Sequence, residues 1–241
     1  MRYETVLWDL DGTLLNTITD LTCSANYALA QCGLPAATAA QVRAGTGNGV
    51  AELLAACTPG GRDCPKFQAV CDAFVAHYDK HSNDHTAPYP GVMDLLRQCQ
   101  AAGITMGIVS NKLDWAVKQL GELRDGTQRA IDGHGMVYAN GERIVLAKYS
   151  QALGTAINAL AGHTPDPGAD VSPALAALEE LHADPARSVY IGDSEIDVAT
   201  AKNTGIAGIA VTWGFRTRKA LCQAGATTLV DSTQALAELL L

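Results

Sequence analysis

The sequence has no Lys/Arg-rich run. Its 17 Lys and Arg residues are outnumbered by 25 Asp and Glu, leaving a formal net charge of −8. That balance argues against a nucleic-acid partner. An acidic chain that handles an anion must concentrate positive charge locally, through a metal, a lysine or a helix N-terminus. No apolar stretch reaches the roughly 18 residues that a membrane span needs, so no membrane partner is expected. Arg2 and Glu4 lead straight into a strand-like run, which is not a signal-peptide pattern, and the expected location is cytoplasmic. Internal repeats and low-complexity segments are absent. The seven cysteines are odd in number and contain no C-x-x-C pair, the usage of reduced thiols in the cytosol. Cys57, Cys64 and Cys71 recur every seven residues. Paired zinc ligands are closer, about two to four residues apart, so these read as cysteines on helix faces.

What is present is a core-forming chain. Of 241 residues 48% are hydrophobic, enough for one large domain or two small ones. Alanine and leucine dominate, which favours helix. Residues 17–33 read as a helix closed by Gly33 and Pro35, and 39–57 and 65–80 continue in helical style, broken at Thr58-Pro59-Gly60-Gly61. Pro88-Tyr89-Pro90-Gly91 then punctuates the chain. Helix Val92–Ala101 leads to strand Ile104–Val109. Helix Pro173–Leu181 leads to strand Ser188–Ile191, and helix Ile196–Asn203 to strand Ile206–Val211. Strand Ala226–Val230 and helix Thr233–Leu240 follow. This alternation predicts an α/β fold with a doubly wound, Rossmann-like parallel sheet. The all-helical stretch after the first strand reads as an insertion. The expected division is a discontinuous core of residues 1–16 and 88–241 and a helical cap of residues 17–87. Residues 122–164 are the least regular; Tyr138–Glu142 carries an Asn-Gly hairpin signature, and Thr155–Leu160 reads as one more core strand.

The chemistry gathers at strand ends. Val6-Leu7-Trp8-Asp9-Leu10-Asp11-Gly12-Thr13 is a short apolar run closed by two carboxylates. It is too short for a helix and reads as a buried strand, whose C-terminal end is where open α/β sheets place ligands. Alternation aims Asp9 and Asp11 the same way unless the turn at Gly12 redirects the second. The second strand ends at Ser110, a hydroxyl donor ahead of a helix start. The third ends at Asp193, with Asp197 one helical turn further on. Ser110-Asn111 and Gly192-Asp193-Ser194 could each be plain helix caps, but their joint occurrence after apolar strands points to one site. Four carboxylates along one sheet edge repel each other unless a cation lies between them, and oxygen-only ligation favours Mg²⁺.

Asp9-Leu10-Asp11-Gly12-Thr13, Ser110 and Gly192-Asp193-Ser194-Glu195-Ile196-Asp197 resemble three motifs of the haloacid dehalogenase superfamily, in the branch with a helical cap after the first strand. Gly47-Asn48-Gly49, the stretch from His81 through Pro88-Tyr89-Pro90-Gly91-Val92, Ser110-Asn111-Lys112 and Val211-Thr212-Trp213-Gly214-Phe215-Arg216 are similar to the phosphoglycolate phosphatases within it. The resemblance covers most of the chain outside 122–164. It implies a phosphatase in which Asp9 is the nucleophile and forms an aspartyl-phosphate, and Asp11 is the general acid and then base. It implies Mg²⁺ held by Asp9, the carbonyl of Asp11 and Asp193, with Asp197 orienting the metal shell. Ser110 would grip phosphoryl oxygens, and Thr13, Gly47, Asn48, Gly49 and Asn111 would contact substrate. The expected partner is a small phosphorylated metabolite, and the expected state a monomer or homodimer.

Two departures stand out. Where the family commonly has a lysine before Pro-Asp-Pro, His163-Thr164-Pro165-Asp166-Pro167 places threonine. Lys148 reaching the site from another position, Lys112 substituting, and a slow or inactive enzyme are the competing accounts. After Gly47-Asn48-Gly49 the sequence reads Val50-Ala51-Glu52, where relatives often carry an arginine; Arg43 is the nearest one. The alternatives to a phosphatase are a catalytically impaired phosphate-binding protein on the same fold and a phosphomutase.

Overall fold

The computed structural model describes residues 3–110, 136–139, 142–150 and 172–241. Its strands are β1 (Thr5–Trp8), β2 (Leu15–Asn16), β3 (Ala87–Pro88), β4 (Thr105–Ser110), β5 (Met136–Ala139), β6 (Glu142–Ser150), β7 (Ser188–Gly192), β8 (Ala207–Val211) and β9 (Leu229–Val230). All but β2 and β3 form one sheet, in the order β5-β6-β4-β1-β7-β8-β9. From β6 to β9 every pairing is parallel, and β5 adds to the edge antiparallel. The chain leaves β1 for β4 on one side and later returns to β7 on the other. The C-terminal end of β1 is therefore the switch point at which doubly wound sheets open a ligand crevice.

The helices are α1 (Ile18–Gln31), α2 (Ala39–Gly45), α3 (Val50–Cys57), α4 (Phe67–His81), α5 (Val92–Ala101), α6 (Ser172–Glu180), α7 (Glu195–Thr204), α8 (Arg218–Gln223) and α9 (Thr233–Leu240). Strand β1 is buried throughout because both its faces are covered. Val6 and Trp8 pack with Leu95, Ile108, Ile191 and Leu236 on one side. Leu7 packs with Val109, Tyr190, Ala177 and Leu178 on the other. Helices α1–α4 enclose a separate apolar cluster, in which Leu21, Ala25 and Leu29 meet Leu54, Val70 and Phe74.

The chain passes between the helical block and the sheet through a two-stranded clasp. β2 pairs antiparallel with β3, Leu15 opposite Pro88 and Asn16 opposite Ala87. Asp20 reinforces it from the first turn of α1. Its carboxylate, 1% exposed, accepts from the amides of His85 and Thr86 and from the Thr86 hydroxyl at 2.8–3.0 Å, with His85 Nδ1 at 2.8 Å. A buried carboxylate persists only with such partners.

Several boundaries differ from the sequence expectation. The helical stretch over 39–57 is two helices, parted at Thr46–Gly49 because Gly47 (φ 121°) and Gly49 (φ 86°) adopt left-handed backbone. Strand β9 is only Leu229–Val230, and β8 starts at Ala207 rather than Ile206. β5 and β6 pair antiparallel with Ala139 opposite Glu142, as a hairpin requires; the turn residues Asn140 and Gly141 lie outside the described residues. The strand expected at Thr155–Leu160, and residues Asn111, Lys112 and Thr164, lie outside the described residues. Cys57, Cys64 and Cys71 are free thiols that do not converge as a metal-ligand group among the described residues. No helix among the described residues is long and apolar enough to cross a membrane.

Candidate active site

Strand β1 ends at Trp8, and its last ladder bond, from the Asp9 amide to the Ile191 carbonyl at 2.8 Å, sets Asp9 at the sheet edge beside β7. The amides of Thr13, Leu14 and Leu15 then close back on the Leu10 carbonyl, and Gly12 turns with φ 93°. This tight turn separates the two acids. Asp9 is held by the Thr13 hydroxyl, 3.1 Å from Oδ2, while Oδ1 of Asp11 takes the Thr17 hydroxyl at 2.5 Å. Thr17 opens α1, so Asp11 is oriented by the entrance to the helical block.

Asp193 and Asp197 come from the end of β7 and the start of α7. Ser194 caps α7: its hydroxyl and amide both donate to Asp197 Oδ2, at 2.6 and 2.9 Å, and its oxygen accepts from the Asp197 amide. The cap and the functional constellation are thus the same residues. Asp9, Asp193 and Asp197 each present a carboxylate oxygen within 4.8 Å of the others. Asp193 and Asp197 are 2% and 7% exposed. Glycines make the room: a Cβ on Gly12 would lie 2.5 Å from Asp193 Oδ2, and one on Gly214 would overlap Asp193 and the Gly12 carbonyl.

Electrostatically this is an anion trap for itself. Burial, then repulsion from Asp197, Asp193 and Asp11, pushes the Asp9 carboxyl well above its ordinary range. Burial and Asp197 lift Asp193 to about 8, although the Phe215 amide donates to it. Burial raises Asp197 to about 6 against the opposing Ser194 bonds. Burial and the nearby acids also raise the Tyr190 and Tyr89 phenols, keeping both neutral. The donor set is all oxygen, tightly gathered and self-repelling, and it fits a hard divalent cation.

The surrounding cavity, about 60 Å³, is lined from the sheet by Asp9, Asp11, Ser110, Tyr190, Asp193 and Asp197. From the helical block it is lined by Leu21, Thr46, Gly47, Gly49, Val50, Leu53 and Tyr78. Ser110 is 3% exposed at the end of β4, as the strand pattern predicted.

A family model described as haloacid dehalogenase-like hydrolase matches residues 6–124, and a second, HAD-hydrolase-like, matches residues 173–236. A phosphoglycolate phosphatase of Caulobacter vibrioides is 30% identical over 222 residues, 88% of this chain and 80% of that relative. The chain belongs to the haloacid dehalogenase-like hydrolases. An N-acetylmuramic acid 6-phosphate phosphatase of Pseudomonas aeruginosa is 27% identical, covering 89% of this chain and 84% of the relative. A crystal structure from Lactobacillus delbrueckii subsp. bulgaricus, provisionally assigned as a phosphoglycolate phosphatase, superposes with a TM-score of 0.76. It shares 28% identity and covers 100% of this chain and 99% of its own.

Of the residues singled out in the sequence, Asp9, Asp11, Ser110, Asp193 and Asp197 converge with Gly47 and Gly49 on one cavity of this hydrolase. Thr13 acts from behind, through Asp9. Asn48 is exposed and does not line the cavity; the left-handed glycines on either side turn it outward. The backbone of Lys148 pairs with Ile108 in the β6–β4 ladder, two pairs below the alignment of Ser110 with Ser150. Three contributors had no assigned role from sequence: Thr17, Tyr190 and Arg216. Arg216 is the one cation among the described residues that line the cavity. Its sequence signal was the run Trp213-Gly214-Phe215-Arg216 after an apolar strand.

Proposed function

We propose that the protein is a Mg²⁺-dependent phosphatase of a small phosphomonoester, with phosphoglycolate the first substrate to test. The observation that carries this reading is the gathering of Asp9, Asp193 and Asp197 at the switch point, with Asp11 held apart by Thr17. Asp9, Asp193 and the Asp11 carbonyl would hold Mg²⁺, and Asp197 would orient the metal shell. The ion supplies charge neutralisation between the carboxylates and an incoming phosphate dianion.

The residues divide the work. A carboxylate oxygen of Asp9, oriented by Thr13, attacks phosphorus, and the bond to the substrate oxygen breaks. Asp11 gives its proton to the leaving alkoxide, then takes one from water. That water attacks phosphorus, releasing phosphate and restoring Asp9. Ser110 holds a phosphoryl oxygen. Thr17 holds the Asp11 carboxyl to one side of the acid cluster, where it would pass a proton to and from the leaving group. Lys148 is the proposed source of the charge that Thr164 does not supply.

A second reading, a silent phosphate binder, is favoured by one observation: Arg216, the cation at the described lining, is spent on protein contacts. Phosphate release from a panel of small phosphomonoesters, with Mg²⁺ or EDTA, separates the two. The phosphatase reading requires metal-dependent release that falls at least about 10³-fold in Asp9→Asn. Binding without release from any ester favours the silent binder.

A further inference from the structure

Arg216 ties the sheet to the helical block. It stands in the loop after β8, with its side chain 12% exposed beside a Glu195 that is 48% exposed. Its Nε donates to Glu195 Oε2 at 2.8 Å and its Nη2 to Oε1 at 3.1 Å. The same Nη2 reaches the carbonyls of Thr46 at 2.7 Å and Ala44 at 3.4 Å, and Nη1 donates to the Arg43 carbonyl. These carbonyls lie in the last turn and C-cap of α2, where backbone acceptors outnumber helical donors and a cation is favoured. The guanidinium fork is thus turned toward the block rather than toward a ligand.

Both ends of this contact adjoin the acid cluster. The preceding residue, Phe215, donates its amide to Asp193 and packs its ring against the core of the helical block. Beyond Thr46, Gly47 lies so close to α7 that a Cβ there would come within 2.8 Å of Ile196 Cδ1.

We propose that Arg216 is a positioning residue that latches the Thr46–Gly49 loop closed over the acid cluster and thereby sets how tightly a small phosphomonoester is held. The proposal rests on the phosphatase reading for its substrate and on the Arg216 contacts for its geometry. Glu195 aims the guanidinium, and the α2 carbonyls are what it grips. Lysine, with a single ammonium, cannot span the carboxylate and the carbonyls together.

The test is a set of three variants, Arg216→Ala, Arg216→Lys and Glu195→Gln, measured two ways. Hydrogen–deuterium exchange of the full-length protein should show amides of residues 46–50 exchanging at least tenfold faster in both Arg216 variants, with residues 70–78 of α4 unchanged as a control for folding. Steady-state hydrolysis should show KM raised at least tenfold and kcat changed less than threefold for both, because the latch touches no reacting atom. Glu195→Gln, which keeps one acceptor oxygen for the guanidinium but loses the second and the charge, should move both readouts in the same direction by a smaller factor than Arg216→Ala. Unchanged exchange at 46–50 in Arg216→Lys, a kcat loss without a KM rise, or Glu195→Gln leaving both readouts unchanged would each overturn the proposal. If the wild-type protein hydrolyses no ester, the phosphatase reading fails while exchange at 46–50 still decides the latch.

Discussion

At the scale of single residues, the site is made of acids that repel one another and that glycines allow to come close. Gly214 is the sharpest case: a Cβ there meets Asp193 and the Gly12 carbonyl, and backbone cannot step aside cheaply. Gly214→Ala should lower stability by about 1–3 kcal/mol in denaturant unfolding and weaken Mg²⁺ binding measured by calorimetry. Asp20 offers a contrasting test away from the cavity. Asp20→Ala leaves the amides of His85 and Thr86 without an acceptor and should cost about 3 kcal/mol, read as a lower urea midpoint. The four acids of the site were legible in the sequence because Asp9, Asp11 and Asp193 follow apolar strands directly and Asp197 lies one helical turn beyond the last of them. The parting of Asp9 from Asp11 was not, since it depends on a hydroxyl, Thr17, six residues away. Arg216 was still less so: its partners in α2 lie about 170 positions earlier, and no local pattern encodes that meeting.

At the scale of elements, strand and helix identities followed from periodicity, while ends and breaks followed from backbone conformation. The two left-handed glycines that split 39–57 were visible as glycines, but their φ angles were not. The start of α7 shows how one cap serves two ends. Ser194→Ala removes the hydroxyl that holds Asp197 and the helix amide, and should cost about 1 kcal/mol of stability. It should also weaken Mg²⁺ affinity more than it weakens the fold, because Asp197 loses its fixed orientation. The β6 strand sets Lys148 beside Ile108, so Lys148→Ala tests the proposed charge directly. The expected result is at least about a tenfold loss in kcat/KM with stability unchanged.

At the scale of the whole molecule, the raised acids tie stability to pH and metal. A carboxyl whose folded pKa lies above its unfolded value favours the fold at low pH, where it is protonated in both states. That contribution is lost as pH rises through the folded value. Asp197 at about 6 and Asp193 at about 8, against an ordinary 3.8, set the window. Metal-free protein should therefore lose stability from about pH 4 to pH 8, on the order of 1 kcal/mol per pH unit, in thermal unfolding with EDTA. Millimolar Mg²⁺ should flatten that slope, most at the alkaline end, since the cation binds the deprotonated acids. The two-stranded clasp has a different consequence. Asn16 and Ala87 are ladder partners, so the chain leaves for the helical block and comes back at neighbouring points, about 5 Å apart. A turn of two residues could bridge them, and everything between is, in architectural terms, a cartridge. On the proposed function, exchanging that cartridge would change which ester is admitted and leave the strand tips in place.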